Sequence, residues 1–239
     1  MKVLQKPATE HFSLNSSIIN HIFKHARPLG HNEKPHQLNL GFGFLYYGLV
    51  RAVRPRHVLV IGSGFGFSVI CLALALKDNK KGELTFIDPS YSVITDGPFK
   101  TMGGTGQWNN TEKINKRFQQ FGVEAIVTHY KYRSDEFFPL YEDLPIPKKI
   151  DVAFIDGSHA YNDVKYDFLN ALQYAHKNTY IFLHDTNIYI REAIGHAGVE
   201  KFRQEINEHR DVFEVLNFPY SSGVSIIRIV KDRPWKYFS

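Results

Sequence analysis

The sequence predicts an α/β domain: a mostly parallel sheet with helices on both faces and an antiparallel hairpin at its C-terminal end. Three observations predict it. From about Arg56 onward, short β-branched runs alternate with longer stretches of helical spacing, the trace left by a parallel sheet flanked by helices. Most of the short runs are apolar throughout and stop at a glycine or a polar residue, as strands buried on both faces do. After Asp185 the alternation gives way to two strand-like runs joined by Tyr220-Ser221-Ser222-Gly223, a turn composition.

Taken in order, the stretch 1–47 is polar, carries five histidines and ends in Phe42-Gly43-Phe44-Leu45-Tyr46-Tyr47. It reads as a helical extension, packed on the core or capping a cleft, ahead of a core over 48–231. The strand candidates are Val58–Ile61, Leu84–Ile87, Ala125–Thr128, Val152–Ile155 and Tyr180–Leu183. Between them Ser68–Lys77, Glu112–Phe121, Ser134–Tyr141 and Tyr161–Ala175 carry helical spacing. A helix around Val199–Asn207 then leads into the hairpin Phe213–Phe218 and Val224–Ile229.

Composition bounds the classes. With 239 residues, 43% hydrophobic and 22% charged, the chain is long enough for one large packed domain and is neither disordered nor fibrous. The net charge is 29 − 24 = +5 with histidines neutral, but the basic residues are scattered rather than massed in the stripe a nucleic-acid binder needs. No apolar run follows the amino terminus, and the longest, Phe65–Leu76, falls far short of the ~20 residues that span a bilayer. Cys71 is the single cysteine and forms no internal disulfide. A cytoplasmic protein with no membrane or nucleic-acid partner is expected; a homo-oligomer is left open.

The first strand runs directly into Gly62-Ser63-Gly64-Phe65-Gly66, and a helix follows without a linker. Small residues here let a ligand approach a tight turn whose free amides favour electronegative groups, so a nucleotide-type cofactor is implied. The dinucleotide fingerprint Gly-x-Gly-x-x-Gly would place its third glycine at position 67, where this chain has Phe67, with Gly66 one residue earlier. The spacing Gly-x-Gly-x-Gly resembles the first motif of class I methyltransferases, which bind S-adenosylmethionine (SAM). Phe86-Ile87-Asp88 supplies the acid expected after the second strand, placed to accept hydrogen bonds from ribose hydroxyls. The acid that this pattern usually carries two residues before the first glycine is replaced by Val60.

Two further segments narrow the resemblance. Ile150-Asp151-Val152-Ala153-Phe154-Ile155-Asp156-Gly157-Ser158-His159-Ala160-Tyr161, followed by Val164-Lys165-Tyr166-Asp167, is similar to the fourth-strand motif of the methyltransferase 24 subfamily, relatives of small-molecule O-methyltransferases. Phe182-Leu183-His184-Asp185-Thr186 is similar to its His-Asp-Thr motif, and Gly198-Val199-Glu200-Lys201-Phe202 and Gly41-Phe42-Gly43-Phe44 also fit. The resemblance, spanning about 41–229, implies a Rossmann-like methyltransferase sheet, SAM as cofactor and a small-molecule hydroxyl as acceptor. Gly62, Ser63, Gly64, Gly66, Asp88 and Asp156 become the candidate cofactor contacts.

Asp156 and Asp185 each follow a predicted strand, and ligands of open α/β sheets bind beyond the carboxyl ends of strands. Methyl transfer from a sulfonium asks of the protein chiefly positioning and removal of one proton. His159 or His184 can serve as base, oriented by Asp156 or Asp185. Alternatively Asp156 and Asp185 hold a divalent metal that acidifies the acceptor hydroxyl. The loop through Met102-Gly103-Gly104-Thr105-Gly106-Gln107-Trp108 reads as a mobile segment with an aromatic anchor, expected to order over bound cofactor. Two rival readings are an NAD(P)-dependent oxidoreductase, which would want glycine near position 67, and a non-catalytic nucleotide-binding module.

Overall fold

A computed structural model describes residues 12–90, 94–96, 99–101, 106–187 and 198–237. Its strands are β1 His57–Ile61, β2 Glu83–Ile87, a small separate hairpin of β3 Ile94–Asp96 and β4 Phe99–Thr101, then β5 Val127–Tyr130, β6 Ile150–Ile155, β7 Ala175–His184, β8 Phe213–Phe218 and β9 Val224–Ile229. Seven of them form one sheet in the order β5-β2-β1-β6-β7-β9-β8. The pairs from β5 to β7 are parallel, and β9 is antiparallel to both β7 and β8, so the Rossmann-like sheet with its closing hairpin is present. From β1 the chain builds outward through β2 and β5, then returns to the other side of β1 with β6. That reversal opens a crevice at the carboxyl ends of β1 and β6.

The period of two along β1 sorts its side chains between two cores. Val58 and Val60 pack with α1 (Ser16–His25), α2 (Phe42–Val53), α3 (Phe67–Asn79) and α4 (Thr111–Phe121), whereas Leu59 and Ile61 pack with α5 (Ser134–Phe137), α6 (Tyr161–Gln173) and α7 (Gly198–Glu208). Both faces are therefore covered, and β1 is buried along its whole length. Each fully buried aliphatic or Phe side chain contributes roughly 1.5–3 kcal/mol. Positions 67–76 of α3 are all buried because the helix lies between the sheet and α2, which explains why its sequence is apolar all round.

The stretch ahead of β1 packs on the first core through Ile19, Ile22, Ala26, Tyr46 and Val50. Ser13 donates through its backbone N–H (2.8 Å) and hydroxyl (2.5 Å) to Asp78 at the end of α3. Helix α2 runs on past Tyr47 to Val53, so the boundary expected there falls inside a helix.

Three of the differences from the expected bounds have a local cause. Strand β5 begins two residues later than expected, because Ala125 and Ile126 lie in a turn closed by Ile126 N–H to Val123 O at 2.9 Å. Strand β7 starts at Ala175, where helical spacing was read to continue; its register against β6 shifts between Ile150 and Val152. Asn178 with φ +71 and the Thr179 hydroxyl, which receives His176 N–H and donates to Ile150 O, build that bulge. The helix expected over Ser134–Tyr141 is α-helical only to Phe137 and then tightens to a 3-10 turn over Phe138–Leu140, since Pro139 has no N–H to continue the ladder.

Candidate active site

The glycine turn joins β1 to α3 at the crevice, and its three glycines are small for different reasons. Gly62 has φ +70, and a Cβ there would stand 2.4 Å from the carbonyl oxygen of Asp156. Gly66 has φ +88, and a Cβ there would stand 2.8 Å from the Trp108 ring. Only Gly64 faces open space, with no atom within 4 Å of such a Cβ. Two of the three positions thus answer to the protein's own packing, and one leaves room for a ligand. The shifted third glycine finds its cause here: Trp108 lies over position 66, while position 67 begins α3 with a buried Phe67. Ser63 turns its hydroxyl inward to Ser68, 2.6 Å away.

Asp88 follows β2 beside this turn, 9% exposed. Its Oδ1 accepts the Ser90 N–H at 2.7 Å. Burial raises its pKa to about 6, against the lowering effect of the Ser90 and Ser63 backbone donors, and the nearby Asp156 raises it further. Trp108, buried, donates its indole N–H to Gly64 O at 3.0 Å and its backbone N–H to the Ser90 hydroxyl at 2.9 Å. Arg117 lies over the indole at 5.0 Å and donates to Phe65 O at 3.1 Å. Of the glycine-rich connection before Trp108, Gly103, Gly104 and Thr105 lie outside the described residues.

At the ends of the neighbouring strands β6 and β7, four of the expected residues come together. His184 Nδ1 lies 3.1 Å from Asp156 Oδ1 and 3.3 Å from Asp185 Oδ1. His159 Nε2 lies 2.6 Å from the other oxygen of Asp185. Asp185 adopts φ +62, a left-handed conformation that aspartate tolerates, and its N–H donates to Gly223 O at 3.0 Å. The closing hairpin therefore turns this carboxylate back over the strand end.

Electrostatics separates the two histidines. Burial drives His184 toward neutrality, but Asp185 and Asp156 outweigh it and hold its pKa well above 6.5, which favours the imidazolium. Its side chain is 2% exposed, whereas that of His159 is 23% exposed. His184 is thus a fixed cation between two carboxylates, and His159 is the imidazole with access from outside.

His31 lies in no motif of the sequence. It stacks on the His184 ring at 4.1 Å, meets Tyr46 Oη at 3.0 Å and is held neutral by burial and by the neighbouring His184. It comes from the segment ahead of α2, and only the tertiary fold brings it to the strand ends. Ser90 and Arg117 were likewise silent, being ordinary polar residues without motif spacing. Two sets of side chains offer convergent ligand atoms within 4.8 Å of one another: Asp156, His159 and Asp185, and His31, Asp156 and His184. Two carboxylates and an imidazole suit a divalent cation.

A family profile described as a methyltransferase domain matches residues 59–186, which takes in the turn, Asp88 and the strand-end array. The chain belongs to this family. Its sheet is Rossmann-like, and with a methyltransferase domain matched the oxidoreductase alternative is set aside. Among solved structures, the methyltransferase is similar to the O-methyltransferase TomG of Streptomyces achromogenes, involved in tomaymycin synthesis and crystallised with SAM: 20% identity, TM-score 0.60, covering 95% of this chain and 92% of that one. It is also similar to an O-methyltransferase of Bacillus cereus crystallised with S-adenosylhomocysteine (SAH), at 16% identity and TM-score 0.62, covering 95% and 93%. Curated relatives include the uncharacterized protein y4gI of Sinorhizobium fredii, 28% identical over 81% of this chain, and the uncharacterized protein R132 of Acanthamoeba polyphaga mimivirus, 33% identical over 49%. The chain spans 19% of the first and 47% of the second. Among the described residues no helix is long and apolar enough to cross a membrane.

Proposed function

We propose that this methyltransferase transfers a methyl group to a hydroxyl oxygen of a small molecule, with His159 as general base. The observation that carries this reading is the His159–Asp185 contact of 2.6 Å, beside a glycine turn whose Gly62 abuts the backbone of Asp156. The O-methyltransferases that share its fold support it. Residues 48–231 would form the SAM-binding core with 1–47 as its extension, in a cytoplasmic setting that suits one buried thiol, Cys71.

SAM supplies a methyl group on a positively charged sulfur, already poised to leave. Gly64 leaves space for it, while Asp88 accepts hydrogen bonds from the ribose. Asp156 lies between the two halves. Asp185 accepts from His159 and orients it, so that the imidazole takes the acceptor's proton as the oxygen attacks. His184 takes no part in proton transfer; its charge keeps Asp156 and Asp185 from repelling one another.

A second reading rests on the convergence of Asp156, His159 and Asp185. A divalent cation held there would acidify the acceptor hydroxyl, and His159 would be its ligand.

The test screens phenolic, catecholic and sugar hydroxyls for SAH formation, then repeats the best acceptor with His159→Gln and after exhaustive chelation. The base reading expects a rate loss of about 10²–10⁴ in the variant, unchanged SAH affinity and full activity after chelation. A His159→Gln enzyme at the full rate would overturn it. Activity lost on chelation and restored by Mg²⁺ or Mn²⁺ would establish the metal reading instead.

A further inference from the structure

The two halves of the cofactor site come from separate segments, the turn after β1 and the acid after β2, and each must be placed against the other. The backbone joins them directly where Gly62 N–H meets Ile87 O at 2.9 Å and Ser63 N–H meets Asp88, and a second, longer set of hydrogen bonds joins them through one side chain. Trp108 donates its indole N–H to Gly64 O on one side and its backbone N–H to the Ser90 hydroxyl on the other. Ser90, held at φ +60, in turn donates its own N–H to Asp88. Arg117 backs the arrangement by covering the indole and binding Phe65 O.

We propose that Trp108 is the positioning residue of the cofactor site, a brace that sets the Gly64 turn and the Asp88 carboxylate at a fixed separation. The inference rests on the reading that this turn and Asp88 bind SAM. Three features of the geometry carry it. The indole N–H takes up the Gly64 carbonyl, so the peptide at the one glycine facing open space is held in a single orientation. The indole is packed on every side, edge-on to Phe86 at 4.8 Å and stacked on Phe118 at 6.0 Å, so the brace is stiff. Finally, Gly66 can be nothing larger, because the Trp108 ring occupies the place of its side chain. The unusual glycine spacing and this tryptophan form one unit, and the indole itself touches no ligand.

The experiment measures SAH binding by calorimetry on the full chain, in the wild type and in Trp108→Phe, Asp88→Asn and the double variant. Trp108→Phe keeps an aromatic body and loses only the indole donor; a melting curve checks its fold. The expected result is a 5–20-fold loss of affinity in Trp108→Phe, and a double variant that loses at least threefold less than the product of the single losses, because both act on one carboxylate. A merely structural tryptophan would leave the effects multiplicative. A second measurement needs no change at the site: Trp235→Phe leaves Trp108 as the only tryptophan of two, and its emission is expected to change as SAH saturates. Wild-type binding with affinity within twofold in Trp108→Phe, multiplicative losses, or unaltered Trp108 emission at calorimetric saturation would each overturn the proposal. A wild type that does not bind SAH would instead overturn the reading beneath it.

Discussion

The glycine turn and the ends of β6 and β7 adjoin, yet different forces hold them. At the turn the constraint is shape: backbone and indole stand where side chains would otherwise be, and the indole N–H holds the Gly64 carbonyl. At the strand ends the constraint is charge: one buried imidazolium keeps two carboxylates within 3.3 Å. A site that must grip a cofactor of fixed form is served by the first arrangement, since shape is indifferent to pH. A site that must move a proton needs the second, because there the energies depend on who is charged. The turn should therefore fail when a methyl group is added, and the array when a charge is removed.

Gly62→Ala is the most damaging change expected. Its methyl would meet the backbone of Asp156 at 2.4 Å, and with the positive φ the loss should be about 4 kcal/mol, read from the denaturant midpoint. Gly64→Ala meets nothing within 4 Å and should cost only about 1 kcal/mol of stability while weakening SAH binding. Equal stability losses at the two positions would break the contrast drawn within the turn.

His184→Gln leaves Asp156 and Asp185 without their counter-charge, at a cost of about 3 kcal/mol near pH 6. The sign with pH follows from its raised value. The stabilisation is full below about 6.5 and is lost as pH rises through the folded-state pKa, so wild type and variant should converge on the alkaline side. A gap that widens with pH would place the charge elsewhere.

Asp167 supplies a buried carboxylate that has no countercharge among the described residues. On α6, with Oδ1 unpartnered and Gly157 close to Oδ2, its pKa is pushed to about 7 by burial, against the Ser134 hydroxyl that lowers it. This carboxylate is raised in the folded state, so stability falls as pH climbs from 3.8 through about 7. Linkage over that span is about 4 kcal/mol, and losing the charge-assisted Ser134 bond returns about 2 kcal/mol. Asp167→Asn should thus gain about 2 kcal/mol above pH 7, seen as a raised unfolding midpoint there. Smallest of all, Glu214→Gln removes the exposed partner of Arg228 and should leave the midpoint unmoved. A clear shift would mean that charge matters even without burial.

How much of this was legible depended on whether the cause lay in adjacent residues. β1, β2 and β6 are apolar runs cut off by Gly62, Asp88 and Asp156, and both ends show in the sequence. β5 is an edge strand whose His129 and Tyr130 belong to it despite their polarity, because one side faces outward. β7 was hidden at its start because a bulge, set by Thr179 reaching across to Ile150, has no period to detect. Within the site, Asp156, His159, His184 and Asp185 stood out as polar residues after apolar runs, but their pairing did not. Which histidine is buried depends on His31 and Tyr46, more than a hundred residues away. The glycines were visible while their reason was not, since Trp108 and the Asp156 backbone reach them only in three dimensions.

The position of β1 has a consequence for how the chain assembles. Val58 pairs with Leu84 on one side and with Val152 on the other. The first partner follows after one helix, whereas the second arrives only when most of the chain has been made. Closing that long loop is slow. A nascent chain that has formed β1, α3 and β2 therefore presents the far edge of β1, five residues that end up wholly buried, as an open apolar template. The strand best protected in the finished protein is the one most in need of shelter on the way there.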